Sequence, residues 1–184
     1  MALISTLLMG VGISAIGCSS TENASPDRLD RVLGNFTGIT LSDFEEGVVK
    51  DGVVSSAEYE EAYNLWKTCV EDNDVGVVVE RDDFGLLVPT TSIPKERPEQ
   101  EALDVSAECG EGTFDVVRNL YEDQVLNPDS RDWNEGVVEC LIDHDLVDPD
   151  YTVEKFLTEE LPASAQTEAG TACMSNPFGV TPAS

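Results

Sequence analysis

The sequence predicts a mainly α domain with one β-hairpin, stapled by two disulfides. Three observations carry this: capping boxes placed before apolar stripes of helical spacing, two short β-rich runs flanking a polar turn, and four cysteines beyond Cys18.

The elements follow in chain order. Ser25-Pro26-Asp27 supplies an N-cap, a proline at the first helical position and an acidic first turn, with Gly34 as the stop, so a helix over 26–33 is predicted. Ser42-x-x-Glu45 and Ser55-x-x-Glu58 are capping boxes, in which serine side chain and glutamate side chain satisfy each other's free backbone N–H groups. The first opens a short helix ending near Lys50. The second opens a long one whose Tyr59, Ala62, Tyr63, Trp66, Cys69 and Val70 form one apolar stripe, with Asn73 as a left-handed stop. Between them, DGVVSSAEYEEAY resembles the second half of an EF-hand: with Gly52 at the sixth loop place, Glu58 falls at the twelfth. Gly47 and Val49 then occupy the first and third places without a side-chain oxygen, so the segment is predicted to be a turn and a capped helix.

Val75 to Glu80 and Phe84 to Pro89 make the hairpin (about 75–89) around Arg81-Asp82-Asp83, and residues 90–101, with two prolines and five charges, are predicted to be an exposed loop. A helix over about 114–126 puts Phe114, Val117, Leu120, Tyr121 and Val125 on one side and ends at Asn127-Pro128. Another over about 131–143 turns Trp133, Val137, Cys140 and Leu141 inward. A last helix spans about 152–161, and Pro162 begins a tail, 162–184, whose Ala, Ser, Thr and Gly content predicts disorder but for Cys173.

Residues Leu3 to Gly17 are apolar or small, too short a run for a transmembrane helix, and end abruptly in polar chain; this predicts a signal peptide over 1–17 and a flexible tether over 18–25. The order Ala15-Ile16-Gly17-Cys18 resembles the lipobox of bacterial lipoproteins. That resemblance implies a lipid on Cys18, with the chain held on the outer face of the cell membrane. The stretch before Leu3 has no Lys or Arg, which points to a start upstream of Met1.

The 167 residues beyond the leader hold the whole formal charge of −27. Such a surface repels nucleic acid and anionic lipid headgroups and attracts cations and basic proteins. Cys69, Cys109, Cys140 and Cys173, an even number in a chain expected to be exported, predict two disulfides, for which three pairings exist. The run CVEDNDV at the end of the long helix parallels CLIDHDL near residue 140: cysteine, two residues, Asp, a helix-stopping Asn or His, Asp, aliphatic. This internal repeat, a helix ending in a cysteine that a later segment staples, motivates pairing Cys69 with Cys109 and Cys140 with Cys173.

AIGC, DGVVSSAEYEEAYNLWKTC and LNPDSRDWNEGVVECLIDHDLV together resemble a diffuse group of small exported proteins and lipoproteins of actinobacteria, the high-GC Gram-positive bacteria, over about residues 45–150. The group has no assigned activity, so the resemblance implies export and disulfides and supplies no chemistry.

No G-x-S-x-G run surrounds a serine, neither G-x-G-x-x-G nor a P-loop occurs, and the single His144 sits at a predicted helix end. A binding or interaction module with an envelope protein or basic partner is therefore expected, not an enzyme, and no cofactor is required. A carboxylate-based hydrolase is the least expected reading. The one candidate cation site is Asp143, Asp145, Asp148 and Asp150 with Glu154 one turn into the next helix, an oxygen-rich set suited to calcium as an accessory cation-binding role would need. Val147 and Asp148 stand where an EF-type loop wants an oxygen ligand and a glycine. The favoured reading is that Asp148 and Asp150 cap the next helix while the other carboxylates are solvated.

Overall fold

The computed structural model describes residues 26–36, 38–93 and 97–182. The lipobox-like segment ending at Cys18, the tether over 18–25 and the Ser25 cap lie outside the described residues. Eight helices and one hairpin follow in the order α1 (Pro26–Gly34), α2 (Asp43–Val49), α3 (Ser56–Asp72), β1 (Gly76–Arg81), β2 (Leu87–Ser92), α4 (Glu99–Gly110), α5 (Asp115–Leu126), α6 (Trp133–Asp143), α7 (Val153–Thr158) and α8 (Glu168–Ser175). No helix among the described residues is long and apolar enough to cross a membrane.

Both capping boxes form. Ser42 and Glu45 exchange bonds at the head of α2, and Ser55 and Glu58 do so at the head of α3. Glu58 is thereby committed to a helix end, and Gly52 takes a positive φ of 74° in the preceding turn, as the turn and capped helix predicted here require. The stripe on α3 is the centre of the main core: Tyr59, Tyr63 and Trp66 cluster around Phe114 with ring centroids 5.6–5.9 Å apart. Such aromatic sets combine large buried area with a preferred ring geometry. Val116, Val117 and Leu120 of α5 close the same core, and α4 packs alongside, where the Trp66 indole donates to the Ser106 carbonyl at 3.0 Å. Gln124 of α5 pairs with both main-chain groups of Val54 (2.7 and 2.9 Å), fixing the entry to α3.

The second cluster is small. Val137 and Leu141 of α6 meet Ala165 and Cys173, with Trp133, Phe156 and Leu161 packed around them. Disulfides Cys69–Cys109 (α3 to α4) and Cys140–Cys173 (α6 to α8) tie each cluster together, in the pairing the repeat motivates.

The repeat extends to backbone detail. Asn73 and His144 end their helices at φ −96° and −97°, and the following Asp74 and Asp145 take φ 59° and 55°. Val75 N–H returns to Val70 O and Leu146 N–H to Leu141 O, while Asp74 and Asp145 bond back to Glu71 and Ile142. These are two copies of the six-to-one, five-to-two closure that ends many helices. The left-handed residue is the Asp, not Asn73 as the sequence suggested; Asn73 instead donates its amide to Cys69 O.

Four other expectations are corrected. The second strand starts at Leu87 and runs to Ser92, because Asp82 Oδ1 accepts the Phe84 and Leu86 amides and draws 82–86 into the turn. The segment assigned to an exposed loop ends in α4, whose signals were Pro98 at its start, Glu99 and Glu101 in its first turn, and Ala102, Val105 and Cys109 on its inner side. The tail is held by its disulfide, as expected, but also forms a helix that was not: Thr167 caps α8, and Gly170 lies so close to the Ala165 carbonyl that a Cβ would stand 1.9 Å from it. Finally α7 is shorter than predicted and capped by Thr152, not by Asp148 or Asp150; residues 159–161 leave the helix ahead of Pro162.

Candidate functional site

Between α1, β2, α5 and the head of α6 lies a cleft of about 800 Å³, within the range of small-molecule sites. α5 presents Arg118, Asn119, Glu122 and Leu126 to it because these lie three and four residues apart on the side away from the core. The hairpin adds Leu86, Val88 and Pro89, α1 adds Arg31, the residue after that helix adds Asn35, and the α6 cap and first turn add Asp132, Trp133 and Asn134.

Every carboxylate lining the cleft has a structural partner. Asp82 holds the hairpin turn, and Asp132 caps α6 by accepting from Glu135 N at 2.9 Å. Glu122 pairs with Arg118 at 2.7 Å, and Asp123 takes both Arg28 and Arg31 at 3.0 Å. Burial works against the Arg118 charge, but the hydrogen bond to Glu122 and its negative charge outweigh it and raise the guanidinium pKa. Asp82 and Asp132 accept only main-chain N–H groups, through Oδ1, and keep their charge at the exposed rim. The other open polar groups are neutral: the side-chain amides of Asn35 and Asn134 and the Trp133 indole N–H, which have no hydrogen-bond partner among the described residues. Sequence reading placed Trp133 inward and missed the rest. The available signal was the scarcity of cations: all six arginine positions, 28, 31, 81, 97, 118 and 131, are spent in ion pairs.

The acidic set at 143–154 is arranged differently. Asp143 ends α6, Asp145 holds the left-handed turn, Asp148 and Asp150 lie in the connection, and Glu154 is in the first turn of α7; all five are exposed. They do not form a group with three ligand atoms in reach of one ion. Among the described residues the one such group of His, Cys and acidic side chains is Cys140, His144 and Cys173. There both sulfurs are used in the disulfide. His144 Nδ1 lies 3.8 and 3.9 Å from them and 2.9 Å from the Cys140 carbonyl. A carbonyl only accepts, so Nδ1 carries a proton and His144 ends its helix as the Asn73 amide ends α3.

No family model, curated protein or solved structure matches the chain.

Proposed function

We propose that this chain is an exported lipoprotein, held on the outer face of the cell membrane by a lipid on Cys18, that binds a partner molecule of the cell envelope in the cleft between α1, β2 and α5. The lipobox-like Ala15-Ile16-Gly17-Cys18 supports the anchor, and two disulfides suit an oxidising compartment. The observation that carries the binding role is the division of labour in the cleft. Its two arginines are consumed by Asp123–Arg31 and Glu122–Arg118 and its remaining carboxylates, Asp82 and Asp132, sit at the exposed rim, while neutral amides, an indole and aliphatic side chains face the space. That arrangement suits holding a hydrogen-bonding group against an apolar wall.

The test is photo-crosslinking in cells. A crosslinking amino acid is placed at Asn119 or Asn134 in the full-length protein, with Glu160 as a remote control, and the mass of Cys18 is recorded from the same samples. A lipid-modified Cys18 and one reproducible adduct from the two cleft positions, absent from the control, support the reading. Equal labelling at all three positions, or an unmodified Cys18, sinks it.

A further inference from the structure

We propose that the outer edge of β1 is a docking site for an extended, basic peptide segment of another protein, which adds as a third strand and sends one side chain into the recess between β1 and α3. This surface lies at the other edge of the hairpin from the cleft, which β2 borders, and stands whether or not the cleft binds anything.

The hydrogen-bond parity of the hairpin defines the edge. Asp82 N–H donates to Leu86 O at 3.0 Å, so alternate pairs back along the register, Glu80 with Val88 and Val78 with Thr90, face one another. Val77, Val79 and Arg81 therefore turn their N–H and C=O groups away from β2, and among the described residues these groups have no partner. The two edges are treated differently. On β2 two of the three outward positions offer no N–H, because Leu87 N–H is taken by the Tyr59 hydroxyl at 3.0 Å and Pro89 has none, which leaves only Thr91 among the described residues. On β1 no proline or bulge interrupts the ladder, and a free edge of this kind is a template for strand addition.

Beside that edge is a recess of about 290 Å³, with Tyr63 and Asn64 of α3 on one wall and Val79 and Arg81 on the other. Tyr63 is 5 % exposed, and its buried hydroxyl has no hydrogen-bond partner. An unpaired buried hydroxyl costs about 1–3 kcal/mol, and a polar atom on an incoming side chain would relieve it. On the opposite face of β1, Val78 is 57 % exposed, ready for a side chain of an added strand.

Charge selects the occupant. Arg81 is neutralised by Glu60 at 2.6 Å, which leaves Glu80, Asp82 and Asp83 around the edge in a chain of formal charge −27. A second copy would bring the same charge again, whereas a lysine-rich strand meets complementary carboxylates.

Hydrogen exchange on the full-length, oxidised protein tests this, with an alternating lysine–valine heptapeptide as probe, its glutamate–valine counterpart, and a lysine–valine probe N-methylated on alternate amides. The expected result is slowing of exchange in 76–81 by roughly tenfold or more with the first probe, and binding weaker by about tenfold or more for the other two. Val79→Pro removes an outward N–H without breaking the ladder and is expected to abolish the protection; Tyr63→Phe is expected to weaken binding with the edge intact. Equal binding of the N-methylated probe would show charge attraction alone and overturn the proposal. So would equal binding of the acidic probe, or protection of 76–81 that appears without a probe and grows with protein concentration, the signature of a second copy. The methylated probe acts on the unmodified protein, so the test survives even if a variant misfolds.

Discussion

Arg28 on α1 donates its Nε proton to Asp123 Oδ2 on α5 at 3.0 Å across 95 residues of sequence, with both side chains nine-tenths buried. Arg31 meets the same oxygen, Asn127 donates to the other, and Arg28 also reaches the carbonyls of Asn127 and Pro128 at the end of α5. One carboxylate thus anchors the first helix. Asp123→Ala leaves buried guanidinium charge without its counter-ion, and removing one partner of such a pair costs about 3–5 kcal/mol. Urea unfolding should show a loss of that order; a loss below about 1 kcal/mol would mean that α1 is held by its apolar side chains alone.

Tyr59 predicts an alkaline limit to stability. Burial pushes its phenol up to about 12, partly offset by the hydrogen bond from Leu87 N–H. The folded state holds this proton more tightly than the unfolded chain, whose phenol titrates near 10. The contribution is therefore intact below about pH 10 and is lost as pH rises from there through about 12. Tyr59→Phe leaves the Leu87 amide without its acceptor, at a cost of about 1–3 kcal/mol, and flattens the fall in stability over that window. Melting curves from pH 8 upward check both.

Where the fold was legible in the sequence, a local rule and a tertiary need agreed. Ser42 with Glu45 and Ser55 with Glu58 state their helix starts within four residues, and the α3 stripe has large side chains at unambiguous spacing. The disulfide pairing followed from a repeat that reaches as far as the φ of Asp74 and Asp145. α4 and α8 were missed because their buried positions are small: Ala102 and Cys109 in one, Gly170 and Cys173 in the other, residues whose burial comes from close approach and not from apolar bulk. The cleft was illegible for a related reason. It is assembled from Asn35, Asn119 and Asn134 on three segments, and no spacing announces neutral amides brought together by packing.

The second cluster depends on its disulfide. Among the described residues only Val137, Leu141, Ala165 and Cys173 are fully buried in it, whereas the Cys140–Cys173 link closes 33 residues, worth roughly 4 kcal/mol in the chain-entropy model. Replacing both cysteines by serine should release α8 while α3, α4 and α5 persist. Exchange of the 165–175 amides should then rise by orders of magnitude with little change in 59–70. Uniform acceleration across the chain would instead mean that the two clusters unfold as one unit.

Gly136 tests how the chain end is seated. A Cβ there would stand 2.3 Å from the Phe178 ring, which meets Trp133 edge-on at 5.7 Å and lies under the Arg131 guanidinium at 4.9 Å. Gly136→Ala should expel Phe178 at a cost of about 1–3 kcal/mol, typical of overpacking, and shift Trp133 emission. Phe178→Ala removes the clash, so the double variant should be little worse than Phe178→Ala alone. Additive losses in that cycle would place the cost in α6 itself.

The matched helix stops yield the last prediction. Asp74 and Asp145 take positive φ at equivalent places, a conformation that costs an L-residue about 1 kcal/mol and glycine almost nothing. Neither carboxylate accepts a hydrogen bond that repays that cost among the described residues, and both side chains are exposed in a chain of formal charge −27. Asp74→Gly and Asp145→Gly should therefore each stabilise the fold, by about 0.5–1 kcal/mol, because relief of strain and of like-charge repulsion exceeds the added freedom of the unfolded chain. The sites lie on separate clusters, so the two gains should add. Equilibrium denaturation of both single variants and the double variant decides it: a loss at Asp145 with a gain at Asp74 would show that the acidic connection after α6 has work for that carboxylate beyond ending a helix.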